Sequence, residues 1–137
     1  MIRHLTRIAL AVLVLALPAR AIDIQEVTSP GGIDAWLVED HSIPFVALQI
    51  LFRGGASMDV PGKRGATMLM AATLEEGAGE RSATEFAEAA QELGARFAFD
   101  AGNDAVSVSA RMLTENRDAS ADLLRDALVA ARFDDAD

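Results

Sequence analysis

Side chains that could take part directly in catalysis are scarce in this sequence of 137 residues. It contains no cysteine and two histidines, His4 and His41. The lack of thiols excludes a cysteine nucleophile, a disulfide bond and any zinc site built from cysteine. A metal site with two histidine ligands would need His4, which lies close to the N-terminus.

The remaining polar candidates favour structural roles. Glu75 and Glu76 are adjacent, and neighbouring side chains on a helix point about 100° apart, which predicts a solvated helix end rather than a carboxylate pair. His41 lies in a polar loop, and we interpret it as an exposed turn residue with no assigned role. The Gly54-Gly55 pair follows neither the phosphate-loop nor the dinucleotide-binding pattern, so we interpret it as a turn.

The charge balance excludes one large class of function. The chain has 12 Lys+Arg against 21 Asp+Glu, a formal net charge of -9. Binding to DNA or RNA depends on basic side chains that replace the phosphate counterions. We therefore expect no nucleic acid partner.

The first 21 residues have the pattern of a secretory signal peptide. Arg3 and Arg7 precede an uncharged apolar run at residues 8–17, and the segment ends in an Ala-x-Ala-like site at Ala21. As a helix this run would rise about 15 Å, roughly half the hydrocarbon thickness of a bilayer. We expect cleavage after Ala21, export to a bacterial periplasm, and no stable membrane insertion of the remainder.

Apolar periodicity and turn residues predict eight elements after the signal peptide. In chain order they are strand, strand, strand, helix, helix, strand, strand and helix, at residues 22–28, 33–38, 45–52, 65–76, 83–93, 96–100, 106–111 and beyond 114. Turn residues at 29–32 predict that the first two strands form a hairpin, and those at 102–104 predict a second hairpin turn. This grouping predicts an α+β fold, with helices packed on one face of a largely antiparallel sheet.

Two of these elements are predicted to be deeply buried. Residues 45–52 contain a single polar residue, Gln49, which is typical of a central strand covered on most of both faces. Residues 65–76 form a helix that is apolar nearly all round, so we expect a buried helix rather than a surface one.

Helix ends are indicated by capping residues. Ser82 and Glu85 have the spacing of a capping box, and Gly94 supplies the stop of the same helix. Thr114 is expected to cap the last helix. The predicted apolar stripe of that helix consists of Ala121, Leu124 and Leu128, beside Leu123 and Val129.

The order and spacing of these features resemble a known family. The segment is PFVALQILFRGGASMDVPGKRGATMLMAATLEEGAGERSATEFAEAAQELGARFAFDAGNDAVSVSARML. It resembles the N-terminal domain of the pitrilysin/insulinase metallopeptidases, the inverted-zincin group that includes the mitochondrial processing peptidases. The resemblance runs from about Ile24 to Phe133 and implies one such domain over residues 22–137. Because the family's domains are longer, we expect this chain to cover the first part of one.

Active members of that family carry His-x-x-Glu-His on the helix that begins near Gly65. Two histidines four residues apart bind Zn²⁺ on one helical face, and the glutamate deprotonates the metal-bound water. The resemblance places these three positions at Met68, Ala71 and Ala72. A thioether is a poor zinc ligand and a methyl group is none, so no catalytic residue and no zinc cofactor is expected. The vacated positions are candidates for lining a peptide groove.

The resemblance together with the erased motif implies a catalytically degenerate domain. We expect it to support peptide binding, or assembly with a homologous subunit that bears zinc. One alternative is that the chain forms part of an active zinc metalloendopeptidase whose zinc site is supplied elsewhere. Another is a stand-alone secreted module that binds peptides.

Overall fold

A computed structural model describes residues 22–133 of the chain, and the predicted signal peptide at residues 1–21 lies outside them. The chain divides into two compact units between His41 and Ser42. None of the helices among the described residues is long and apolar enough to cross a membrane.

The first unit contains a β-hairpin. Strands β1 (Gln25–Thr28) and β2 (Asp34–Leu37) pair antiparallel, with Gln25 opposite Leu37. The Ser29 amide donates to the Ile33 carbonyl at 2.8 Å, and Gly32 has a φ of 80°, a conformation that side chains disfavour. The predicted hairpin is confirmed, although both strands are shorter than expected.

The second unit is built on a three-stranded antiparallel sheet in the order β3-β7-β6. The strands are β3 (Phe45–Arg53), β6 (Arg96–Ala101) and β7 (Ala105–Leu113). The connection between β6 and β7 is the predicted turn at residues 102–104. On β7, every second side chain is buried, namely Val106, Val108, Ala110 and Met112.

The prediction that residues 45–52 form a buried central strand is wrong. The centre of the sheet is β7, and β3 lies at one edge. Val46 and Ile50 pack against the core, whereas Leu51 on the opposite face is 63% exposed. An apolar run shows that a strand has two apolar faces, but whether both are covered depends on other parts of the structure.

Three helices cover one face of this sheet, as the α+β prediction requires. They are α1 (Ala66–Thr73), α2 (Ala83–Leu93) and α3 (Arg117–Val129). The hydrophobic core between the helices and the sheet is centred on Phe86, Phe99, Val108, Met112, Leu123 and Leu124.

The prediction of a long, buried helix at residues 65–76 is also wrong. Helix α1 has eight residues, and of its side chains only Ala71 is buried. Met68, Leu69 and Met70 are exposed, because the core covers one side of a helix that is apolar on every side. The chain then leaves the helix to form a short hairpin of β4 (Gly77–Ala78) and β5 (Arg81–Ser82).

The start of α3 differs from the prediction as well. Thr114 begins a 3₁₀ turn at Thr114–Asn116 and does not cap the helix. The N-cap residue is Asn116, whose side-chain amide donates to the Leu93 carbonyl at 3.0 Å. The buried stripe is Ser120, Leu123, Leu124 and Ala127, while Ala121 and Val129 are exposed. A buried serine is why the apolar pattern misplaced this stripe.

Ser120 offers a direct test of core packing. Its side chain is 0% exposed, and its hydroxyl has no hydrogen-bond partner among the described residues. A buried hydroxyl without a partner destabilises the folded state, so Ser120→Ala should raise the free energy of unfolding by about 1 kcal/mol. Urea denaturation would measure this change. The converse variant Ala127→Ser introduces a hydroxyl at another buried position and should be destabilising. A loss of stability in Ser120→Ala would contradict the finding that the Ser120 hydroxyl is buried without a partner.

The predicted capping box of α2 is confirmed. The Ser82 hydroxyl accepts from the Glu85 amide at 3.4 Å, and the Glu85 carboxylate accepts from the Ser82 amide at 2.8 Å. Ser82→Ala should therefore cost about 1 kcal/mol, which corresponds to a thermal midpoint lower by about 4–8 °C. Circular dichroism would measure the midpoint. Thr84→Ala, an exposed change in the same helical turn, should leave it nearly unchanged.

Candidate functional site

The candidate site is the exposed face of α1, and its position depends on a remote cap. Gly65 precedes the helix in the left-handed conformation and supplies no side chain. The carboxylate of Asp59 takes its place: Oδ2 accepts from the Gly65 amide at 2.6 Å, and Oδ1 accepts from the Thr67 hydroxyl at 2.6 Å. Sequence reasoning missed Asp59, because a capping side chain six residues before the N-cap residue Gly65 has no local signature.

The loop that contains Asp59 is held in turn by the β6–β7 hairpin. The Gly54 amide donates to the Asp104 carbonyl at 2.8 Å, and the Ala56 amide donates to the Gly102 carbonyl at 2.9 Å. The Ser57 hydroxyl donates to the Asn103 carbonyl at 2.6 Å. The residues that follow β3 therefore fix the path of the chain into α1.

The cap predicts a pH-dependent contribution to stability. The pKa of Asp59 lies below its ordinary value, mainly because the Thr67 hydroxyl donates to the carboxylate, with help from backbone amides. A lowered folded-state pKa stabilises the fold above the ordinary aspartate pKa, about 3.9, and this contribution is lost as the pH falls through the lowered value.

Asp59→Ala should accordingly lower the thermal midpoint by a few degrees at neutral pH, as expected for the loss of a helix cap. The difference from the wild type should shrink below about pH 4. Midpoints measured between neutral and acidic pH would test this. Glu88→Ala, which removes an exposed carboxylate from α2, is the control and should have the midpoint of the wild type at every pH. A midpoint difference between Asp59→Ala and the wild type that did not change with pH would contradict the role of Asp59 as a cap.

The structure brings two of the three motif positions together. Met68 is 53% exposed, and Ala72 is exposed one helical turn further along the same face. Ala71 is 3% exposed and belongs to the core cluster. The exposed face of α1 therefore presents a thioether and a methyl group, with a second methyl group directed into the core.

These residues do not fit a zinc ion. Zinc in proteins is bound by thiolate, imidazole or carboxylate groups, and none of the three positions supplies one. No group of three His, Cys, Asp or Glu side chains able to hold a metal occurs within residues 22–133. His41 lies in the first unit, highly exposed, with its Nε2 3.8 Å from a Glu39 carboxylate oxygen.

The acidic residues that follow α1 do not supply a reacting centre. Partial burial raises the pKa of the Glu75 carboxyl. Glu76 is the next residue, and both side chains are exposed. The predicted exposure of the two carboxylates is confirmed, but they lie beyond the end of α1 at Thr73 and not within the helix.

Two crystal structures share this α+β architecture. One is a peptidase M16 inactive domain from Pseudomonas fluorescens, 25% identical, with a TM-score of 0.75 over 82% of this chain. The other is a protease from Helicobacter pylori, 16% identical, with a TM-score of 0.69 over 84% of this chain. The fold is therefore that of a peptidase M16 inactive domain, which has the higher identity of the two structures.

The match covers only part of each of these proteins. This chain spans 28% of the length of the Pseudomonas fluorescens structure and 28% of the Helicobacter pylori structure. No protein-family model and no curated protein sequence matches the chain.

Proposed function

We propose that this chain is a non-catalytic peptidase-family domain that binds extended peptides and assembles with a homologous subunit bearing the zinc site. The observation that carries the proposal is the exposed face of α1. The helix keeps the position at which the family's active members hold zinc, but Met68 and Ala72 cannot bind the metal. The similarity to a structure named as an inactive domain supports the same conclusion.

The edge of the sheet is the surface that we assign to peptides. Strand β3 is nine residues long and pairs with β7 on one side, and no other strand of the second unit pairs with its free edge. The backbone groups on that free edge can pair with an extended peptide, which would add a strand to the sheet. Leu51 and Phe52 near the end of β3 are exposed and provide apolar contacts.

In an assembly with an active homologue, catalysis and part of the peptide binding would be carried out by different chains. The homologue supplies the metal and the base, and this chain supplies additional peptide-binding surface. The predicted signal peptide at residues 1–21 supports a periplasmic location for this assembly.

A reconstitution experiment tests the proposal. A homologue with an intact His-x-x-Glu-His motif from the same organism is assayed for peptide cleavage alone and with this chain, and this chain is assayed alone. We expect no cleavage by this chain and faster cleavage by the pair. Stoichiometric zinc with turnover in this chain alone, or no effect of the chain on the homologue, would overturn the proposal.

Two variants test whether the effect of this chain on the homologue depends on the free edge of β3. Leu51→Lys puts a charge beside the free edge of β3 and should weaken the effect on the homologue, because edge charges oppose strand addition. Val60→Lys places the same charge in the exposed loop that precedes α1 and serves as the matched control.

A further inference from the structure

The face of the sheet opposite the helices, called here the outer face, carries an unusual distribution of charge. Alternation along the strands puts Arg53, Arg96 and Arg111 on this face, together with one acidic residue, Asp100. The chain as a whole has an excess of acidic residues, with a net charge of -9. The outer face is therefore locally cationic in an acidic protein.

Two of these arginines are direct neighbours. Arg96 on β6 lies opposite Arg111 on β7 in the antiparallel register, and both side chains are exposed. Like charges directly opposite each other on a sheet are destabilising. Such a pair therefore reduces the stability of the unit unless an anion lies between them.

No described residue neutralises this pair. Arg81, Arg117 and Arg125 each form an ion pair with an aspartate within 4 Å, all on or beside the helices. Arg96 and Arg111 have no such partner among residues 22–133. The arginines of the helices are thus partly neutralised, and the arginines of the outer face remain available to a ligand.

The surroundings of Arg111 hold its side chain in place without neutralising it. Its guanidinium lies 5.7 Å from the centre of the Phe45 ring, a cation–π contact. The neighbouring cross-strand row, two residues before Arg111 on β7, contains Ser109 opposite Gln49. Both of these side chains can donate hydrogen bonds.

We propose that Arg96 and Arg111 bind a carboxylate carried by an extended peptide, with Gln49 and Ser109 as neighbouring donors. Two guanidinium groups can each offer paired N–H donors to a carboxylate, a geometry that lysine does not provide. The inference rests on the proposed function, since it names the class of peptide as acidic. An acidic peptide fits the positive charge of the outer face, because its carboxylate would relieve the repulsion between Arg96 and Arg111.

The test measures the affinity of the purified chain for three labelled peptides by fluorescence anisotropy. The first contains one central glutamate and an amidated C-terminus, the second has glutamine in its place, and the third has glutamine with a free C-terminal carboxylate. The proteins are the wild type, Arg96→Gln, Arg111→Gln and the control Arg117→Gln, which alters an exposed arginine on α3. Thermal midpoints verify folding. Arg96→Gln should not be destabilised, since it removes one charge of a repelling pair, and Arg111→Gln should change little because it also loses the contact with Phe45.

We expect the wild type to bind the glutamate peptide at least about tenfold more tightly than the amidated glutamine peptide, as charged hydrogen bonds predict. Either outer-face variant should lose this preference, and Arg117→Gln should keep it. A preference confined to the free-carboxylate peptide would also support the arginine site and assign its ligand to the peptide terminus.

Two further outcomes separate the inference from the proposed function. Equal binding of all three peptides, unchanged in Arg96→Gln and Arg111→Gln, would overturn the arginine site and leave peptide binding intact. No binding of any peptide by the wild type would overturn both.

Discussion

Replacing Gly55 with alanine is expected to lower the free energy of unfolding by about 3 kcal/mol. The residue is buried between the end of β3 and the turn at residues 102–104. A Cβ atom at this position would collide with the Gly102 carbonyl oxygen, and it would lie 2.8 Å from the Asn103 oxygen and 2.9 Å from the Ala105 nitrogen. All three are backbone atoms, which cannot move aside as a flexible side chain can.

The clash at Gly55 should affect the candidate site as well as overall stability. To relieve it, the segment must separate from the hairpin, which breaks the hydrogen bonds that Gly54, Ala56 and Ser57 make there. Asp59 lies two residues after Ser57, so its cap on α1 should also be lost. Chemical denaturation measures the loss of stability, and hydrogen exchange on α1 measures the release of the helix.

A matched control lies on the other side of the same contact. A Cβ atom at Gly102 would lie 3.5 Å from the Ala105 oxygen, an ordinary van der Waals distance. Gly102→Ala should therefore change stability little. Equal losses of stability in the two variants would contradict the backbone clash at Gly55 as the cause.

The second large effect is a gain of metal binding by the double variant Met68→His/Ala72→His. Two imidazoles four residues apart on one exposed helical face can share a zinc ion. At zinc concentrations about 100 times the dissociation constant, binding should stabilise the variant by about 2.7 kcal/mol. The wild type should show no zinc-dependent change in thermal midpoint.

A control variant with the same number of introduced histidines tests the geometry. In Met68→His/Met70→His the two histidines lie about 200° apart around the helix and cannot share one ion. This control should gain little stability with zinc. A zinc response in the control equal to that of the first variant would contradict the placement of Met68 and Ala72 on one face. Neither variant should hydrolyse peptides, since no glutamate base is added.

The features that could be predicted from the sequence are local ones. The β1–β2 hairpin, the β6–β7 turn and the Ser82–Glu85 capping box each depend on residues a few positions apart. The spacing of Met68 and Ala72 is likewise a property of any helix, so their shared face follows from sequence alone.

The features that could not be predicted depend on distant partners. Strand β3 is as apolar as a central strand, and only the position of β7 makes it an edge. The cap from Asp59 depends on the path of a loop, and the opposition of Arg96 and Arg111 depends on strand register. The exposure of Met68 beside the burial of Ala71 is decided by which side of α1 meets the core.

The proposed function predicts that this chain binds peptides without cleaving them. The most direct test is the fluorescence anisotropy of one labelled extended peptide, followed over hours with the purified protein, either with zinc or with a chelator. We predict a saturable rise that then stays constant and is the same in both conditions. No rise at all, or a rise followed by a decline that requires zinc, would contradict the claim.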